Sequence, residues 1–87
     1  MENRFEEVMG AIKEVRSNEA HFEKLVALLQ KECAAAGNPE YRQKLEALSQ
    51  KEATAYRQAK EKGGTAWPEY EHFVTGFEKA VLEANQQ

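Results

Sequence analysis

Residues 5–37 read FEEVMGAIKEVRSNEAHFEKLVALLQKECAAAG, and the apolar positions in this stretch decide the fold. Phe5, Val8, Ile12, Val15, Phe22, Val26, Leu29 and Cys33 fall at alternating spacings of three and four, with Glu19 as the single interruption. Such a stripe keeps one face of a helix turned toward a partner. Its mean period of about 3.5 residues favours the shallow left-handed crossing of coiled coils. The phase is kept across Ser17-Asn18, so one continuous helix is expected over about residues 2–36, about 50 Å long at 1.5 Å per residue. The competing reading makes Asn18 the cap of a second segment beginning at Glu19. Gly10 weakens the first turns by roughly 1 kcal/mol relative to alanine. Gly37 is the natural left-handed residue to end the helix.

Asn38-Pro39 then starts a second helix, with asparagine as N-cap and proline at the first helical position, where its missing N–H does no harm. This helix is expected over residues 39–62, ending at Gly63-Gly64. Its inward face reads Tyr41, Leu45, Leu48, Glu52, Ala55 or Tyr56, and Ala59, thinner and richer in alanine than the first stripe. A third helix over about residues 68–84 starts near Pro68, with Tyr70, Phe73, Val74, Phe77, Val81 and Leu82 on its face and a polar tail from Asn85.

The turn at Gly37-Asn38-Pro39 is short, so the first two helices should fold back antiparallel. Counting outward from it sets Leu29 by Leu45 or Ala47, Val26 by Leu48, Phe22 by Glu52, and Glu19 by Tyr56 or Arg57. A link from Glu19 to Arg57 or Tyr56 would satisfy the charge that breaks the stripe. The fold class expected is therefore all-α: a long antiparallel hairpin plus a third, shorter helix, a three-helix bundle with coiled-coil-like packing in one domain.

Charge agrees with that arrangement. All fifteen acidic residues are glutamate, which tolerates helix interiors better than aspartate does. Residues 38–64 carry six Lys/Arg against four Glu, whereas residues 1–37 carry five against seven and residues 65–87 one against four. The middle helix is thus basic between two acidic ones, with Lys44, Lys51 and Lys62 on one flank of its stripe and Arg42 and Lys60 on the other. Flanking positions of this kind pair across helix seams. The net charge of -3 gives no reason to expect nucleic acid or an anionic membrane as the main partner. No apolar run is long enough to span a bilayer, and the polar start Met1-Glu2-Asn3-Arg4 has no signal-peptide core. The single cysteine excludes an internal disulfide and makes a reducing cytoplasm the expected location.

Chemistry-bearing patterns are sparse, and none identifies a family. Glu69 and His72 have the Glu-x-x-His spacing of carboxylate-bridged metal sites, but a full site needs two such motifs and His72 lies opposite the apolar face, so no metal or other cofactor is expected. Cys33 sits on the stripe near a helix C-terminus, which suits a small buried hydrophobe rather than a nucleophile. Four of the eight aromatics, Trp67, Tyr70, Phe73 and Phe77, crowd into eleven residues. They either close the core over the alanine-rich second helix or form a partner surface. The expected function is a small non-enzymatic interaction module (an adaptor, inhibitor or chaperone-like subunit), with contacts from Trp67, Tyr70, Phe73 and Phe77 and from Phe5, Val8, Met9 and Ile12. The N-terminal four should meet the third helix or a second subunit, and a homodimer is the expected assembly. The alternative is a nucleic-acid-associated regulator using the cations of the middle helix.

Overall fold

The computed structural model describes residues 4–85 and is all-helical over that range. It comprises α1 (Arg4–Val15), a 3-10 turn (Glu19–His21), α2 (Phe22–Ala35), α3 (Pro39–Ala47), a π turn (Leu48–Glu52), α4 (Ala53–Glu61) and α5 (Trp67–Asn85). Since α3, the π turn and α4 follow one another without a break, they make one rod over residues 39–61. Among the described residues there are four helical rods, not three. Positions 2, 3, 86 and 87, which the sequence assigns to the first helix and the polar tail, lie outside the described residues.

The correction lies in residues 16–21. The first helix does not continue to residue 36 but stops at Val15 and turns back. Asn18 is extended (φ -143°, ψ 108°), and its side-chain oxygen accepts from the Ala20 N–H at 2.9 Å. Its own N–H reaches the Val15 carbonyl and its carbonyl accepts from His21. The local asparagine cap wins because tertiary partners hold the reversal. Tyr70 of α5 donates to the Val15 carbonyl at 2.5 Å, and Tyr56 of α4 donates to the Glu19 carbonyl at 3.3 Å. Arg16 pairs with Glu78 of α5 at 2.9 Å.

The rods pack in cyclic order, α1 on α2, α2 on the 39–61 rod, that rod on α5, and α5 on α1. Phe5 at the start of α1 meets the ring of Tyr41 at the start of α3, and Glu32 near the end of α2 accepts from the Tyr41 hydroxyl. Both ends of the α1–α2 hairpin therefore lie beside the start of α3, and neighbouring rods run antiparallel. Each apolar stripe points into the shared centre, where Ile12, Leu25, Leu29, Leu45, Tyr70, Phe73, Val74, Phe77 and Val81 are fully buried. The middle rod is packed between α2 and α5, as its charge suggests. Lys44 pairs with Glu83 of α5, Arg57 with Glu23 of α2 and Lys60 with Glu19.

One helix end departs from expectation in detail. Gly37 does not take the left-handed conformation, which is confined to Gly63 (φ 88°) and Gly64 (φ 80°). Instead Ala36 turns to extended backbone, and the Arg42 guanidinium donates to its carbonyl at 2.7 Å, satisfying a helix-end acceptor. Asn38 caps α3 as the sequence indicates, accepting from Glu40 and Tyr41 N–H at 2.9 and 3.2 Å. Asn38→Ala should lower the unfolding free energy by about 0.5–2 kcal/mol in urea titration, with no change in the slope.

The π turn resets the face of the middle rod. A wider turn rotates the following residues backward, so Ala53 enters the core and Glu52 moves to its edge. Farther from the Asn38-Pro39 turn, the register against α2 also differs by about one helical turn from the one counted outward from it. Phe22 stacks on Tyr56 at 4.0 Å rather than meeting Glu52, and the Glu19 carboxylate meets Lys60 at 3.6 Å rather than Arg57, while Tyr56 reaches Glu19 as expected but at its backbone carbonyl. Arg57 lies over the Phe22 ring, 5.2 Å from its centre. No described helix is long and apolar enough to cross a membrane.

Candidate functional site

The aromatic cluster of α5 divides at its first turn. Tyr70, Phe73 and Phe77 are completely buried, so they close the core and cannot be contact residues on the surface of this fold. Phe73 meets Phe22 edge-on at 5.5 Å, and Tyr70 lies 5.9 Å from the Tyr56 ring. Trp67, the first residue of α5, remains 38% exposed, with its ring 5.9 Å from Tyr70. Its N–H is held by the Thr65 hydroxyl at 3.1 Å, which fixes the entry to the helix.

The N-terminal four residues divide similarly. Val8 and Ile12 are buried, whereas Phe5 and Met9 are half-buried at the edge of the core. Because α1 runs along α5, these two residues meet the far end of that helix. Phe5, Met9, Gly10, Val81 and Leu82 line a groove of about 330 Å³, rimmed by Glu6, Lys13 and Asn85. Leu82 is 43% exposed, and with Trp67 it is one of the two large apolar side chains exposed among the described residues. The sequence placed Leu82 on the inward face. Ala80 takes that place beside Val81. Trp67 and Leu82 stand near opposite ends of α5, so they do not form one patch.

A second groove, also of about 330 Å³, runs between the middle rod and α5. Its floor is Ala47, Leu48, Gly76 and Ala80, and its rim is Lys44, Lys51, Lys79, Glu52 and Glu83. At Gly76 the helices approach so closely that an added Cβ would lie 2.6 Å from the Leu48 Cδ2. Lys44 and Glu83 hold each other ionised. The hydrogen bond to Glu83 raises the lysine pKa, and the same bond lowers the glutamate pKa.

The remaining chemical candidates do not converge. His72 is exposed and Cys33 half-buried, its Sγ 3.9 Å from the Arg42 carbonyl. Glu69 is half-buried, and its Oε2, like that of Glu19, is enclosed without a hydrogen-bond partner. Among the described residues no group of three or more His, Cys, Asp or Glu side chains is placed to hold a metal ion. Comparison with models of known families, with curated proteins and with solved structures finds no match to this chain.

Proposed function

We propose that the chain is a small non-enzymatic interaction module that receives an apolar side chain of another protein in the α1–α5 groove. The observation that carries this reading is Leu82. Its exposed side chain adjoins half-buried Phe5 and Met9, so apolar surface is continuous there and bounded by one anion and one cation, Glu6 and Lys13. An amphipathic helix with a flanking charge of each sign is the matching ligand. Exposed Trp67 is a secondary contact candidate. A reducing compartment such as the cytoplasm suits the lone half-buried Cys33.

The nucleic-acid reading is weaker because three of the five cations flanking the stripe of the middle rod are engaged. Lys44 and Lys60 each face a glutamate and Arg42 caps α2, whereas Lys51 and Lys62 are exposed.

The test is co-purification of a partner, followed by titration of the purified pair. Leu82→Glu should weaken binding at least tenfold without lowering the Tm, and Lys51→Glu should leave it nearly unchanged. Unchanged affinity in Leu82→Glu would remove the groove from consideration. Retardation of an RNA or DNA probe that falls steeply with salt and depends on Lys51 would replace this reading with the nucleic-acid one.

A further inference from the structure

The stripe of residues 5–33 specifies a helix that the single chain does not form. Its three-four phase runs through residues 16–18 unbroken, and Arg16-Ser17-Asn18 contains neither glycine nor proline. Yet this segment is where the chain reverses. The reversal depends on the Asn18 cap and on tyrosines reaching in from α4 and α5. Were residues 16–21 to become helical, α1 and α2 would merge over residues 4–35 into one rod of about 48 Å. Val8, Ile12 and Val15 would then leave their own bundle and carry their apolar face outward.

We infer that the α1–α2 hairpin can open into this continuous helix, and that a second copy of the chain fills the vacated place, so that two chains exchange α1. The occupant is set by identity of contacts. The slot between α2 and α5 is shaped for α1, and a second α1 restores the burial of Val8, Ile12 and Val15 together with the Arg16–Glu78 pair. Exchange of an identical element yields a closed dimer at little cost, because only the hinge differs between the two forms. The hinge itself gains helical hydrogen bonds in the open form. Val15 then accepts from residue 19 along the helix, in place of the Asn18 N–H of the closed form. Glu19 biases the balance toward the closed hairpin, since it breaks the stripe where the merged helix would be apolar and pairs with Lys60 in the closed form. The inference does not depend on the partner-binding reading, because the exchanged α1 restores the α1–α5 groove in either form.

Two substitutions at one position test it. Glu19→Leu and Glu19→Pro both remove the Lys60 pair, so that loss is common to both. Leucine completes the stripe and should shift the chain toward a dimer, with at least a tenfold lower dissociation constant than wild type after refolding at high concentration. Proline fits the first residue of the 3-10 turn, after the extended Asn18, but blocks a merged helix. Glu19→Pro should stay monomeric at every concentration by light scattering, with wild-type helical content by circular dichroism. Should Glu19→Pro fail to fold, Asn18→Ala supplies the second arm: by removing the cap it should also raise the dimer fraction.

Exchange is distinguished from surface dimerisation by a cross-link. With Cys33 replaced by serine, Met9→Cys and Leu82→Cys are placed on one chain, facing the same groove. Oxidising the Glu19→Leu dimer should give covalent dimers on a denaturing gel. Covalently closed monomers from that dimer would overturn the exchange. So would a Glu19→Leu chain that remains monomeric after concentrated refolding, or a Glu19→Pro chain that dimerises as wild type does.

Discussion

Phe73→Ala should lower the unfolding free energy by about 3–5 kcal/mol. An 87-residue chain has about 4–13 kcal/mol in total, so that variant loses between about a quarter and all of its stability. The position explains the magnitude. Phe73 is fully buried and meets Phe22 edge-on, and Phe22 in turn stacks on Tyr56. One ring therefore joins α5 to α2 and, through it, to α4. Removing it leaves a cavity at the centre that relaxation of three helices only partly fills. Trp67→Ala, six residues earlier on the same helix, should cost about 1 kcal/mol or less, because its ring is substantially solvated. Urea unfolding followed by circular dichroism separates the two. Equal midpoints for the two variants would mean that the α5 aromatics do not form the core described. Partner-binding experiments therefore require Leu82 or Trp67 as probes, since loss of binding in Phe73→Ala would report unfolding.

The difference between these aromatics marks how far the sequence could be read. Heptad spacing identifies which residues of α1 and α2 are apolar-facing, and Val8, Ile12, Val15, Phe22, Val26 and Leu29 are all buried. The cap at Asn38-Pro39 is local chemistry and is legible as such. The reversal at residues 16–18 is not legible in the stripe, because straight and folded forms bury the same face. What separates them is two tyrosine hydroxyls arriving from 37 and 55 residues away in the chain. The π turn is hidden for a related reason, since Leu48–Glu52 has no proline or glycine to mark it. Its effect appears only as the exchange of Ala53 for Glu52 on the buried face. Of the candidate surface, Phe5 and Met9 belong to the N-terminal part of the first helix that the sequence singles out, whereas Leu82 is exposed where the sequence places it inward. The break at Asn18 is open to the sequence only as the competing reading.

Tyr70 makes the reversal sensitive to alkali. Its hydroxyl is enclosed and donates to the Val15 carbonyl, a helix-end acceptor with no intrahelical partner. Burial, reinforced by nearby Tyr56 and Glu19, pushes its pKa from 10 up to about 12. A folded-state pKa above the unfolded one means that the native protein keeps a proton the unfolded chain has released. The associated stability is complete below about pH 10 and is lost as pH rises toward 12, a change of roughly 2–3 kcal/mol. Tyr56 is raised in the same direction by its own burial and by Glu19 and Glu23, so it adds to the loss in the alkaline range. Tyr70→Phe should cost about 1 kcal/mol at neutral pH, because the Val15 carbonyl loses one of its two donors and keeps the Asn18 N–H. It should then lose less than wild type between pH 10 and 12, so that the two stabilities converge as the phenol ionises. Urea midpoints at neutral pH and through the alkaline range measure both effects. A gap that stays constant through pH 12 would show that the Tyr70 hydroxyl is not the enclosed donor at Val15. Convergence would assign the alkaline loss to the hydrogen bond that holds the α1–α2 reversal in place.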